Sequence, residues 1–174
     1  MKKTMATIAA IMLTTSAQAE DVQTPAVVGL WLVKKKDVVV EVKPCITGSD
    51  ILCGRIAWLD PKAKQQIDSL NPDETLRSRK LCGIRVMWDM RADADEEGMY
   101  TGKIYKANNG TMYDATIKRD ADGNLELRGY IGVPLLGKDA ILTPVKKGTY
   151  PLCTQRKARA RKPLTNNGQT PSNG

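Results

Sequence analysis

Short runs in which apolar and polar residues alternate follow one another along most of this chain. Val38, Val40 and Val42 fall on one face of an extended segment, and Glu41 and Lys43 fall on the other, which is the period-two pattern of a half-buried strand. The predicted strands are 29–33, 37–45, 53–58, 84–90, 99–106, 111–119, 125–130 and 140–145. The pattern therefore predicts an all-β domain of about eight strands.

Tight turns join most of these runs, so neighbouring strands are expected to pair. Asn109-Gly110 and Asp122-Gly123 lie between β-rich runs, as in hairpins. Eight sequential antiparallel strands of this size most often close into an up-and-down barrel, which leaves no exposed edge. A two-layer β-sandwich is the alternative. Residues 60–80 lack the alternation and are predicted to form a long loop, with room for one short helical turn, of the kind that can act as a lid.

Both ends of the chain differ from this central part. Residues 1–19 combine a basic start, a short apolar core and the small-x-small site Ala17-Gln18-Ala19, the three parts of a secretory signal peptide. The apolar core is too short for a membrane-spanning helix. We expect cleavage after Ala19, a periplasmic or secreted protein, a β-domain over 20–153 and a basic, disordered tail over 154–174.

The positive charge is concentrated at these ends. Of the formal net charge of +8, two charges lie in the leader and five follow Cys153, which leaves about +1 for the body. A body this close to neutral argues against a nucleic-acid-binding protein. Weak contact of the basic tail with an anionic membrane surface or another envelope component is the partner that this charge suggests. The oligomeric state is not predicted.

Four cysteines fit an oxidising compartment. Three pairings are possible, and Cys45–Cys53 with Cys82–Cys153 is favoured, because adjacent antiparallel strands bring the first pair within disulfide range. A zinc site is the competing use of four cysteines. It is disfavoured by the absence of histidine and of any Cys-x2-Cys spacing.

No residue pattern in the sequence points to catalysis. A chain with 0 histidines lacks the usual general base and the Ser-His-Asp and Cys-His arrangements. The acidic pairs in 93–97 lack the spacing of an EF-hand and are interpreted as a solvated turn. We therefore expect a non-enzymatic protein without a cofactor or a metal.

The inward face of the predicted barrel supplies the candidate binding residues. They are Val40, Val42, Ile56, Tyr113, Ile117 and Leu127. An eight-stranded barrel holds either packed side chains or one small ligand, and both possibilities stay open. The apolar segment 131–137 is unusually hydrophobic for a turn. It is predicted either to pack internally or to cap the barrel and touch a lipid or protein partner.

Several segments together resemble a family of exported bacterial proteins, the domain of unknown function 2147. They are Gly29-Leu30-Trp31, Val39-Val40-Glu41-Val42, Pro44-Cys45, 52–59, Asn71-Pro72-Asp73, 76–79, Cys82-Gly83 and Leu127-Arg128-Gly129-Tyr130. The resemblance implies a small lipocalin-like barrel. Gly29-Leu30-Trp31 is also similar to the first lipocalin signature, which implies that Trp31 plugs the closed end and that Arg128 stacks on it through a cation–π contact.

The sequence favours two functions, with an enzyme ranked third. The first is an exported, non-enzymatic, lipocalin-like protein that binds a small apolar or amphipathic molecule. The second is a structural or interaction protein of the cell envelope with a filled barrel. The packing of the barrel interior distinguishes them, because a filled core has no room for a ligand.

Overall fold

The computed structural model describes residues 24–153 and has an all-β fold. Its strands are β1 (Gly29–Val33), β2 (Val38–Pro44), β3 (Leu52–Leu59), β4 (Arg85–Ala92), β5 (Tyr100–Lys106), β6 (Thr111–Arg119), β7 (Leu125–Tyr130) and β8 (Lys138–Pro144). Two 3-10 turns, Glu74–Leu76 and Pro134–Leu136, lie in the connections that follow β3 and β7. Each strand agrees with its predicted range to within two residues. The predicted leader and basic tail lie outside the described residues.

The strands form a closed antiparallel barrel in sequence order, with β8 pairing back onto β1. The predicted up-and-down barrel is therefore confirmed, and the β-sandwich alternative is wrong. One end of the barrel, here called the base, carries the β2–β3, β4–β5 and β6–β7 connections. The other end, here called the mouth, carries the β1–β2, β3–β4, β5–β6 and β7–β8 connections.

Two methionines of β4 fill much of the interior. Met87 and Met90 are 1% and 0% exposed. Residues three apart in a strand normally face opposite ways, but the pairing register of β4 shifts between Trp88 and Arg91, and Asp89 adopts φ 51° there. This bulge turns both methionines inward.

Two glycines on the neighbouring strands β3 and β5 leave room for these methionine side chains. A Cβ on Gly54 would lie 2.7 Å from the sulfur of Met87, and a Cβ on Gly102 would lie 2.6 Å from the sulfur of Met90. The thioether side chains therefore occupy volume that any larger residue at the two glycines would need. The interior around these two methionines is therefore closely packed.

Trp31, the third residue of β1, lies buried toward the base and is 2% exposed. Its indole N–H donates to Val27 O at 2.9 Å, so the polar atom of the ring is satisfied. The guanidinium of Arg119, at the end of β6, lies 5.8 Å from the ring centroid. The predicted stacking of Arg128 on Trp31 is therefore wrong. Arg128 lies on the outer face of β7 and binds Asp139 of β8 instead.

A second apolar cluster lies outside the barrel wall. The outward side chains of β1, β2 and β3 that form it are Leu32, Val39 and Ala57. Residues 145–153, here called the strap, cover them: Tyr150 packs on Trp58 with 4.4 Å between ring centroids. The backbone N–H of Cys153 donates to Ala57 O at 2.6 Å. The strap therefore shields this outer face of the barrel from solvent and forms a second, small hydrophobic core with it.

Both predicted disulfides, and with them the favoured pairing, are confirmed. Cys45–Cys53 closes the β2–β3 connection at the base, with 4.9 Å between Cα atoms. Cys82–Cys153 joins the strap to the β3–β4 connection, with 5.7 Å between Cα atoms. Neither cysteine pair is available as a metal ligand.

Candidate functional site

Residues 60–84, which connect β3 to β4 and are here called the cover, lie across the mouth. The N–H of Asp60 donates to Asp37 O in the β1–β2 connection at 2.8 Å. The side-chain amide of Gln65 donates to Ala107 O in the β5–β6 connection at 3.0 Å. Ala63 packs on the apolar interior from above. Because these contacts reach two other connections, the long loop predicted from the sequence closes this end of the barrel.

A buried carboxylate fastens the cover to the barrel wall. Asp68 is 0% exposed and accepts hydrogen bonds from Tyr105 Oη at 2.7 Å and from Asn71 Nδ2 at 2.7 Å. The Arg79 guanidinium completes the shell, with 2.7 Å between Nη2 and the carboxylate. Tyr105 belongs to β5, whereas the other three residues belong to the cover. The cluster therefore links the cover to β5, and each of its buried polar side-chain atoms has a hydrogen-bond partner.

Opposing effects set the ionisation of this cluster. Burial alone raises the pKa of Asp68, but the hydrogen bonds from Tyr105, Asn71 and Arg79 outweigh it and bring the pKa below the ordinary 3.8. Burial, followed by the hydrogen bond to Asp68 and its charge, raises the pKa of Tyr105 to about 12. Asp68 is therefore charged and Tyr105 neutral across the physiological range.

Many of the hydrophobic residues that pack against the core without being fully buried lie toward the mouth. Partly buried hydrophobic residues at or near the mouth are Val33, Val38, Ala63, Ile84, Ile104, Ala107 and Ala140. Tyr113, opposite Ile104 on the neighbouring strand, is also half-buried, and its hydroxyl accepts from Asn109 Nδ2 at 2.7 Å. The mouth therefore presents apolar and aromatic surface under a cover that contributes a small side chain, Ala63.

The structure brings the six predicted binding residues onto the inward face but not into one open pocket. Val40, Val42, Ile56 and Ile117 are between 0% and 6% exposed and belong to the packed core. Tyr113 and Leu127 are half-buried. Contact of these residues with a ligand stays a prediction.

Two concave regions lie on the outer wall of the barrel. One, of about 360 Å³, is lined by residues of β6, β7 and β8, among them Leu127, and by Met99 of the β4–β5 connection. Its charges are mutually paired, Lys118 with Glu126 and Arg128 with Asp139. The other, of about 230 Å³, lies beside the Cys45–Cys53 bridge.

Comparison with known proteins assigns the chain to a family. Residues 29–143 match the family model described as an uncharacterized protein conserved in bacteria, DUF2147. The chain belongs to the DUF2147 family. Comparison with curated protein sequences gives no match. A solved structure also matches. It is described as protein HP1028 from the human pathogen Helicobacter pylori, belonging to the lipocalin family. The match has a TM-score of 0.59 and 21% sequence identity, and it covers 71% of this chain and 86% of that chain. The likeness shows that this DUF2147 protein has a lipocalin-like barrel fold.

The residues that fasten the cover of this DUF2147 barrel were not singled out from the sequence. Asp68 stands in a polar segment where a buried carboxylate has no local signature, and Tyr105 was not among the candidate residues. Asn71-Pro72-Asp73 was the one sequence feature that indicated local structure in the cover, because Asn and Asp side chains often cap turns. In the structure, Asn71 Oδ1 accepts a hydrogen bond from Asp73 N at 2.9 Å.

Residues 24–153 hold no cluster of three or more potential metal ligands. Nor does this part of the chain contain a helix with the length and hydrophobicity needed to cross a membrane.

Proposed function

We propose that this DUF2147 protein is an exported, non-enzymatic binding protein that takes a small apolar or amphipathic molecule at its mouth, beneath the cover. The observation that carries the proposal is the partly buried apolar layer there, which includes Ile104 and Tyr113 and is overlain by Ala63. Displacing a small side chain and a polar loop exposes apolar surface to a ligand without breaking the packed core. Concave apolar surface with a few polar groups is the usual form of a small-molecule site.

Packing lower in the barrel favours the mouth over a deep site. Met90, toward the base end of β4, takes the space in front of Gly102, so a ligand in the lower barrel would have to displace its side chain. A ligand at the mouth instead competes with the cover, whose attachment depends on the Asp68 cluster. Methionine is flexible enough to adjust to whatever lies above it.

The proposed location is the periplasm or the extracellular space. Two disulfides are stable in an oxidising compartment and rare in a reducing one. The predicted signal peptide, residues 1–19, accounts for export.

Binding of N-phenyl-1-naphthylamine, an apolar dye that fluoresces more strongly out of water, tests the proposal. We expect the mature protein to bind the dye, and Ala107→Leu, which enlarges a side chain at the mouth, to weaken binding about tenfold or more, a loss of about 1.4 kcal/mol. Ala121→Leu is the matched control, because Ala121 is exposed in the β6–β7 connection at the base. Equal binding by both variants, or no binding by the wild type at any dye concentration, contradicts the proposal.

A filled barrel that works through its outer surface is the second candidate. The complete burial of Met90 and Leu125 in the interior favours it. Native mass spectrometry of protein purified from the periplasm separates the two: a bound small molecule supports the first function, whereas a bare barrel together with failure of the dye experiment supports the second.

A further inference from the structure

The apolar connection between β7 and β8 is held with its hydrophobic side chains in solvent. Ile131, Val133, Leu135 and Leu136 are 67%, 53%, 85% and 77% exposed. Internal packing, one of the two predictions for this segment, is therefore wrong for these four side chains. A run of exposed large apolar residues this dense marks a contact surface.

Arg128 fixes the shape of this connection. Its Nε donates to Pro134 O at 2.7 Å, and its Nη1 donates to both carboxylate oxygens of Asp139, at 2.6 and 2.8 Å. Arg128 therefore holds the 3-10 turn through the carbonyl of Pro134, while the side chains of Leu135 and Leu136 stay exposed to solvent. The leucines are thus presented by an ordered turn, which reduces the entropy lost when they become buried.

Charge is distributed unequally between the two ends of the barrel. The connections at the mouth contain eight basic and five acidic residues, whereas those at the base contain no basic and seven acidic residues. The three terminal residues of the strands do not cancel this difference, because they add four basic residues and one acidic residue at each end. Lys146 and Lys147, which follow β8 toward the base, reduce it only in part.

The lysines at the mouth are available to an outside partner. Those that are exposed and make no ion pair within residues 24–153 are Lys34, Lys35, Lys36, Lys62, Lys64, Lys80, Lys106 and Lys138. Three of them form the β1–β2 turn. Around the barrel, only β8 and β1 separate this turn from the apolar connection.

We propose that the mouth docks on an anionic phospholipid surface, with Leu135 and Leu136 entering the interfacial region and the lysines contacting the headgroups. Apolar side chains beside unpaired lysines at one end suit a surface that is negatively charged outside and apolar beneath. The seven acidic residues of the base connections then face away from the membrane. This proposal does not require a ligand at the mouth.

Sedimentation of the mature full-length protein with vesicles tests the proposal. We expect binding to vesicles of phosphatidylglycerol and phosphatidylcholine at low salt, and binding at least about tenfold weaker to pure phosphatidylcholine or at high salt. Leu135→Ser with Leu136→Ser is expected to weaken binding about tenfold or more. Replacing Lys34, Lys35 and Lys36 by Gln is expected to weaken it similarly at low salt and to reduce the salt dependence.

Matched controls lie at the base. Ile46, 75% exposed in the β2–β3 connection, gives Ile46→Ser as the control for the leucines. Lys146→Gln with Lys147→Gln is the control for the lysines. Both controls should bind as the wild type does, and circular dichroism should show that every variant is folded.

Three results would contradict the proposed docking of the mouth on a phospholipid surface. One is the absence of vesicle binding by the wild type, as expected if the partner were a protein. Another is equal weakening by the Ile46 control and the leucine variant. The third is binding that is unaffected by the mouth variants and lost when the basic residues of 156–162 are replaced by Gln. Dye binding is measured without vesicles, so each proposal fails separately.

Discussion

The base and the mouth are closed by different chemistry. At the base, Trp31 fills the barrel, and the connections are short. At the mouth, a cover of 25 residues lies over a partly buried apolar layer and is fastened by the carboxylate of Asp68. Apolar packing is lost only when the barrel opens, whereas a polar cluster at a loop can be exchanged for water locally. The contrast places stability at the base and the capacity for movement at the mouth.

The largest expected difference lies between the two disulfides. Replacing Cys82 and Cys153 by Ala opens a loop with a sequence separation of 71, and replacing Cys45 and Cys53 opens one of 8. The chain-entropy model predicts losses in the free energy of unfolding of about 4 and about 2.5 kcal/mol. Urea denaturation of the two double variants measures both. A larger loss for the base bridge would show that the strap and cover contribute little to global stability.

Interior packing is expected to have the next largest effect. Met90→Ala removes a fully buried side chain and is expected to lower the free energy of unfolding by about 2–4 kcal/mol. Leu135→Ala, at an 85% exposed position, should change it by less than about 0.5 kcal/mol. Thermal and urea unfolding of both variants test this, and similar losses would mean that the β7–β8 connection is packed in solution.

The polar fastening of the cover should have a smaller and more local effect. Asp68→Asn removes the charge that pairs with Arg79, and we expect a loss of about 2 kcal/mol. Glu74→Gln, at the exposed pair with Arg77, is the control and should cost less than about 0.5 kcal/mol. Hydrogen exchange should show the loss mainly in cover amides. Equal acceleration across the barrel strands would contradict a separate cover.

The same cluster should make the cover sensitive to both extremes of pH. The pKa of Asp68 is lowered in the folded protein, so its stabilising contribution is present above the ordinary pKa of 3.8 and is lost as the pH falls through the lower folded value. The pKa of Tyr105 is raised from 10.0 to about 12, so its contribution is complete below about 10 and is lost as the pH rises toward 12. Hydrogen exchange of the cover, compared between the wild type and Asp68→Asn at low pH, measures the acid limb. The difference between them should vanish there.

Alternation along the chain was sufficient to predict the barrel, because in a meander each strand pairs with its neighbour and local turns set the order. Val40, Val42 and Ile117 were placed on the inward face by the same period-two rule, and all three are buried. The bulge at Asp89 was not predictable in this way. It breaks the period, so the inward orientation of both Met87 and Met90 depends on a backbone irregularity that alternation does not encode.

Contacts between distant segments were also beyond the sequence. Asp68 and Tyr105 are 37 residues apart, and nothing near either residue indicates the other. The predicted partner of Trp31 was wrong as well: Arg128 follows the inward Leu127 and faces outward, whereas Arg119 lies on the same face of β6 as Ile117 and reaches the Trp31 ring. The cysteine bridges were predictable because an even set of cysteines has few pairings.

The order of the disulfides along the chain has a consequence for biosynthesis. In a chain exported from its N-terminus, Cys45 and Cys53 leave the translocation channel almost together and can pair before any other cysteine arrives. Cys82 then waits, without a competing thiol, until Cys153 follows near the end of the chain. For the proposed export, the order of arrival therefore favours the observed pairing, and the strap can be locked only once Cys153 has crossed the membrane.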